Sequence, residues 1–370
     1  MKVNTISLNS VRLNTIALNH IGEIRSGGGG SKPSPIPQWI REHVVFYYDV
    51  KKQGATNETL KESAYLQDLS GKGRRMKLTN FLFDMMSGVD GYKNEAFVKV
   101  NGAIDIRFDH INGRQIKGKP AQDWDKFGYY RAKNMVERII YCKWHVEGIL
   151  DDNKVYVAQY TAYDNRVELH NGDNYIELDT NQGKVGYNYI SVISDQPYST
   201  DITITQIPEY PGALVTDGVD DYGLVENLSS GVKMLFMTVN PIGDSNISKM
   251  YYSQRKDPIN INPFYIFTGG SSIAYSGNRD GVTYINGVLN KSIKSNELFG
   301  VKHIITTVNA NVKPETSKAP SFFWEEGNTK NYCSKLAFYN SIAFDSIPTE
   351  ADGFTEQELI DYVLTNIIGQ

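Results

Sequence analysis

Between about residue 92 and residue 210, apolar and polar residues alternate in short runs. Ala103-Ile104-Asp105-Ile106-Arg107-Phe108, Val155-Tyr156-Val157-Ala158, Tyr175-Ile176-Glu177-Leu178, Tyr189-Ile190-Ser191-Val192-Ile193 and Asp201-Ile202-Thr203-Ile204-Thr205 repeat with the period of two that marks half-buried strands. Turn clusters such as Asn171-Gly172-Asp173-Asn174 separate them, which predicts a β-sandwich or barrel closed by Pro208 and Pro211. Before this region, His43–Val50 reads as a buried strand, Asp68–Gly73 as a turn, and Leu78-Thr79-Asn80-Phe81 as the lead into a further strand. After it, Lys233–Val239, Gly281–Val288, His303–Val308 and Ser334–Tyr339 read as strands. One helix ends the chain: Thr355 and Glu358 form a capping box, and Leu359, Tyr362, Val363 and Ile367 an apolar stripe.

The N-terminus repeats itself. Asn4-Thr5-Ile6-Ser7-Leu8-Asn9 returns ten residues later as Asn14-Thr15-Ile16-Ala17-Leu18-Asn19. Alternation places Ile6 with Leu8, and Ile16 with Leu18, on one strand face. Two strands alone cannot bury such a face. The segment is therefore expected to dock on a partner or on sister copies, with a hairpin against the protein's own core as the alternative. A glycine-rich linker, Ser26–Ser31, follows and gives way to the stiffer Lys32–Pro37.

Composition narrows the function classes. A chain of 370 residues is long enough for two or three domains. Its net charge of −4 supplies no basic footprint for nucleic acid. The two cysteines, Cys142 and Cys333, cannot make a structural zinc site alone, and their separation does not indicate a disulfide. No apolar run reaches a membrane span, and the first residues lack a secretory h-region. A particle assembled in the cytoplasm and released by lysis fits these features.

Four segments carry a resemblance. Asp68-Leu69-Ser70-Gly71-Lys72-Gly73 resembles the "DxSGxG" turn of concanavalin-like, laminin-G-type domains. Asp217-Gly218-Val219-Asp220-Asp221-Tyr222 resembles their "DGxxDY" strand, and Val282–Val288 their "xxYxNG" hairpin. Lys335–Asn340 followed by Phe354–Leu359 resembles the closing strand and helix, although Ala343-Phe344-Asp345 replaces the family's arginine. The order is right, but the first two motifs stand far apart, so an insertion is expected. The resemblance implies a mostly β chain: a laminin-G-like jelly-roll sandwich from residues 32–91 and 212–370, interrupted by a β-sandwich or barrel at 92–211. Residues 1–31 form the docking repeat and linker. The layout as a whole resembles fibre or decoration proteins of tailed bacteriophages and prophages, and its Tyr-Asn-Asp-Gly texture those of gut Bacteroidales phages. That resemblance implies a virion location, particle proteins as partners through the N-terminus, and homo-oligomers, trimers among them.

Candidate chemistry is sparse. Asp217, Asp220 and Asp221 offer oxygen ligands for calcium, as some laminin-G-type domains use, but acids in such a motif more often fix a turn. No other cofactor is expected. Asp151-Asp152-Asn153 reads as a polar turn. The alternation of Trp144-His145-Val146-Glu147 sets His145 and Glu147 on one face, read as an exposed polar face in preference to an acid–base pair. No paired-carboxylate strand, Gly-x-Ser-x-Gly elbow or phosphate loop is found. Sugar binding is the best candidate, since aromatic faces stack on sugar rings while polar groups direct hydrogen bonds. The insert carries Trp124, Tyr129, Tyr130 and Tyr163 as candidate platforms, with Tyr160, Tyr187 and Tyr198 nearby in sequence. The expected function is a non-catalytic adhesion protein of a phage-like particle that contacts surface glycans. A free-standing glycan-binding module and a glycoside hydrolase are the alternatives.

Overall fold

The computed structural model describes residues 37–92, 108–112, 114–120, 130–131, 139–159, 162–179, 189–228, 231–243, 249–255, 265–268, 281–312, 317–324, 333–353 and 355–369. The chain forms two compact units, the first from the chain up to Gly91 and again from Gly212, the second from Tyr92–Pro211. Both are mostly antiparallel sheet.

Unit 1 begins with β1 (Val44–Asp49), β2 (Tyr65–Leu66), β3 (Met76–Thr79) and β4 (Gly88–Val89). Unit 2 contributes β5 (Phe108–Asn112), β6 (Gln115–Gly118), β7 (Tyr130–Arg131), β8 (Ile139–Glu147) and β9 (Val155–Gln159). It continues through β10 (Ala162–Leu169), β11 (Gly172–Asp179), β12 (Tyr189–Ser194) and β13 (Ile202–Gln206). Unit 1 resumes with β14 (Leu214–Val215), β15 (Tyr222–Val225), β16 (Met234–Pro241), β17 (Lys249–Arg255) and β18 (Tyr265–Thr268). It ends with β19 (Val282–Ile285), β20 (Val288–Leu289), β21 (His303–Val308), β22 (Ser317–Phe322) and β23 (Leu336–Phe344). Among the described residues, the α-helices are α1 (Gln38–His43), α2 (Asn57–Ser63) and α3 (Glu356–Val363), all in unit 1.

In unit 1 one sheet runs β20-β19-β21-β16-β23-β14-β4, with β1 also paired to β23, and a second runs β18-β17-β22-β15-β3-β2. Every residue of β1 and β16 is buried because the first sheet is covered on both faces. Phe46, Tyr48, Leu235 and Met237 share a core with Leu78, Tyr252 and Phe322 of the second sheet. Tyr47, Phe236 and Ile342 meet Trp39 and Ile40 of α1 and Leu359, Ile360 and Val363 of α3. Phe322 sits among the rings of Phe46, Tyr48, Tyr252, Phe323 and Phe338, with centroids 5.1–6.1 Å away.

The C-terminal helix forms as its sequence predicts. Thr355 accepts from the Glu358 amide, and the Glu358 carboxylate accepts from the Thr355 amide at 2.7 Å. Ile360, not Tyr362, completes the buried face. Lys52 donates to the Ile367 carbonyl at 2.6 Å, which places a cation at the carbonyl end of the terminal helical segment.

Two helices go unpredicted. α1 has only six residues and no side-chain cap, and the burial of Trp39 and Ile40 holds it. α2 uses a Thr56–Thr59 reciprocal cap and buries only Asn57 and Leu60, so it leaves no apolar period to read. The strand expected beyond Leu78 stops at Thr79. Asn80, Phe83, Met85 and Asp90 all take positive φ, which makes the chain a series of turns.

Those turns lead to the insertion. β4 pairs antiparallel with β14, so unit 2 fills the loop of a hairpin belonging to unit 1. Asp90 closes the neck: its amide donates to the Ala213 carbonyl, and its carboxylate accepts from the Gly212 amide, both at 2.8 Å.

Unit 2 has sheets β10-β9-β12-β7 and β11-β8-β13-β6-β5. Val155, Val157, Leu169 and Val192 of the first share a core with Ile116, Trp144, Val146, Ile176, Ile202 and Ile204 of the second. The chain changes sheet between β10 and β11. There the buried Asn174 side chain accepts from the His170 amide at 2.8 Å and donates to the His170 and Gly172 carbonyls.

Candidate ligand-binding face

The two-residue strand period builds a polar face on the outside of the five-stranded sheet. Trp144 and Val146 point inward and are fully buried, so Lys143, His145 and Glu147 emerge on the opposite side of β8. On β11, Asn174 and Ile176 are buried, which turns Asp173, Tyr175 and Glu177 outward. The register sets Asp173 opposite His145 and Tyr175 opposite Lys143. On the other flank of β8, Thr205 faces His145 and Thr203 faces Glu147, and β6 adds Gln115 and Lys117 beyond them.

His145 is held between two carboxylates. Its Nδ1 lies 2.6 Å from Asp173 Oδ1 and its Nε2 lies 3.6 Å from Glu147 Oε1. The hydrogen bond to Asp173 raises its pKa above the ordinary histidine value, and the charges of Asp173 and Glu147 add to the effect. The carboxylates engage different ring nitrogens, so this arrangement orients the ring and does not converge on a cation. Lys143 pairs with Glu209 at 3.1 Å. Tyr175 is 74% exposed, and among the described residues its hydroxyl has no hydrogen-bond partner.

The acid cluster of unit 1 is built the other way. Asp217, Asp220 and Asp221 bring one oxygen each to within 4.8 Å of the others, a set that could hold a cation. Oxygens of Asp217 and Asp221 already have donors, however. Asp221, fully buried, accepts from the Asp217 amide at 2.8 Å and from the Ser87 hydroxyl at 3.1 Å. Asp217 Oδ1 accepts from the Val219 amide at 2.7 Å. Burial pushes the Asp221 carboxyl up to about 7. Gly218 turns at φ +78, where a Cβ would lie 2.7 Å from the Lys335 side chain. This arrangement locks a turn. Asp68 acts alike in its own turn, accepting from the amides of Tyr47, Ser70 and Arg74 at 2.9–3.0 Å.

The aromatic candidates fare differently. Tyr130 lies on β7 and Tyr163 on β10, the two edges of the four-stranded sheet, three strand spacings or about 14 Å apart. Their backbones are not brought together. Trp124, Tyr129, Tyr160 and Tyr187 lie outside the described residues, as do Ile6, Leu8, Ile16 and Leu18 of the repeat. Tyr198 is a packing residue whose hydroxyl accepts from the Leu150 amide at 2.7 Å and donates to the Gly148 carbonyl. Cys333 is a buried free thiol, pushed up to about 11 by its burial.

Sequence reasoning missed Tyr175. The available signal was its phase: it shares the strand face of Asp173 and Glu177, not that of Ile176.

No protein-family model matches the chain, and no curated protein or solved structure matches it. Among the described residues, no helix is long and apolar enough to cross a membrane.

Proposed function

We propose that the chain is a non-catalytic structural and adhesion protein of a phage-like particle. In this reading the N-terminal repeat attaches it to other particle proteins, unit 1 is a laminin-G-like scaffold, and unit 2 meets surface glycans. Copies associate through the repeat, with a trimer suggested by the fibre resemblance, and the protein resides on the virion after assembly in the host cytoplasm.

The observation that carries the reading is the insertion. Unit 2 enters and leaves through β4 and β14, adjacent paired strands closed by Asp90. A hairpin loop is where a scaffold can carry a whole module without losing a strand of its own sheet. The tandem repeat and the glycine-rich linker support attachment at the other end of the chain.

Two measurements test it. Light scattering should find a defined oligomer for the full chain and a monomer for a chain starting at Lys32. Two monomers would remove self-assembly through the repeat. A glycan array probed with the full chain should show retained binding, and an array with no signal would remove the adhesion role.

A further inference from the structure

We propose that the outer face of the five-stranded sheet in unit 2, centred on Tyr175, is a platform for a neutral, hydroxyl-rich saccharide chain. The inference rests on the adhesion reading above and names its site and ligand class.

Three observations converge. The first is Tyr175 itself. The buried phase of β11 takes Asn174 and Ile176, and Tyr175 is left 74% exposed on the polar phase. A phenol ring offers a flat apolar surface with one polar tip, and the C–H face of a pyranose can cover it.

The second is what surrounds the ring. Asp173 and Glu177 stand two residues away on either side along β11, roughly 7 Å each. Lys143 is directly across the strand pair, and His145 lies diagonally beyond it. Among the described residues, the Glu177 carboxylate has no hydrogen-bond partner. A sugar hydroxyl both donates and accepts, so it can bond a carboxylate and an ammonium or imidazole in one arrangement, and charge-assisted bonds of this kind are the stronger ones. Because His145 is fixed between Asp173 and Glu147, the array is oriented before a ligand arrives.

The third is the charge balance. Lys117, Lys143 and His145 face Glu147, Asp173 and Glu177 on the same surface. Acids and bases stand side by side across the strands, and Glu209 pairs with Lys143, leaving no single-sign field to attract a polyanion or a polycation. A sulfated or uronate-rich polymer gains nothing here that a neutral one does not. Thr203, Thr205 and Gln115 extend the polar surface over the next two strands, giving an open track that suits an extended chain.

The test uses the full chain in native affinity electrophoresis, with gels containing laminarin, mannan, hydroxyethyl cellulose or the polyanion dextran sulfate. The expected result is retardation by at least one neutral polymer. It should weaken roughly tenfold or more in Tyr175→Ala and be largely kept in Tyr175→Phe, which retains the ring. Glu177→Gln should weaken it less. Circular dichroism on each variant checks that the fold is intact. Retardation by a neutral polymer that Tyr175→Ala leaves unchanged overturns this site while leaving glycan adhesion standing. Retardation by dextran sulfate alone overturns the neutral-ligand assignment. No retardation by these polymers, together with a blank glycan array, overturns the adhesion reading and this inference with it.

Discussion

Unit 1 and unit 2 each gather aspartates, and they use them in opposite ways. Asp68 and Asp221 of unit 1 turn inward and spend their oxygens on backbone amides and a serine hydroxyl. Asp173 of unit 2 turns outward, orients a histidine, and stands beside an exposed tyrosine. In sequence the two groups look alike, as acids within a few residues of a glycine in turn-forming stretches. An acid is structural when the chain's own donors consume its hydrogen-bonding capacity, and available for a ligand when they do not.

The largest expected effect is at Asp68. Asp68→Ala leaves three backbone amides without an acceptor at a buried turn and should destabilise unit 1 by about 3 kcal/mol or more, read from urea unfolding. A small loss would mean that water replaces the carboxylate and that the inward acids matter less than their geometry suggests.

Next comes Asp221. Its folded pKa is raised to about 7, above an ordinary unfolded value of ~3.9. Between those values the folded protein keeps a proton that the unfolded chain has released, so stability from this group falls as pH rises through the window. The slope amounts to a few kcal/mol at most, and Asp221→Asn should flatten it in melting curves taken from pH 5 to 8. Calcium sharpens the contrast. If amide and hydroxyl donors hold the oxygens, added calcium leaves the melting temperature of the wild type unchanged. A calcium-dependent rise would make the cluster a cation site after all.

On the outward side the effects on stability are small. Asp173→Asn should change stability by no more than about 0.5 kcal/mol. The same substitution should lower the His145 pKa towards its ordinary value, followed by its ring-proton shifts in NMR. The sign follows from the raised folded pKa: any stabilisation by the charged pair is present at acid pH and lost as pH rises through that pKa. An unchanged histidine titration would show that Glu147 alone sets it.

Much of this was legible in the sequence, for physical reasons that differ by element. The alternation in β9, β11 and β13 has a buried face and a wet face, so period two is written directly into residue choice. The Thr355–Glu358 box announces α3 because its side chains do the capping. α1 has no side-chain cap, and the α2 cap uses Thr56 and Thr59 without the Glu or Gln that marks a capping box in sequence; each is a short helix that buries two residues. The candidate site was only half legible. His145 and Glu147 were placed on the polar face by alternation within one strand. Asp173, Tyr175 and Lys143 join them only through the register of β8 with β11, which no single strand records. Counting aromatic residues pointed instead to Tyr130 and Tyr163, whose strands lie at opposite edges of the other sheet.

Inward acids build the fold, and the outward face meets the ligand. The most direct measurement takes Tyr175→Ala and Asp221→Asn side by side, with retardation by a neutral polysaccharide and urea unfolding read for both. Tyr175→Ala should lose retardation with its unfolding curve unchanged, while Asp221→Asn should keep retardation and alter the pH dependence of unfolding. Retardation lost in Asp221→Asn and kept in Tyr175→Ala would contradict this division.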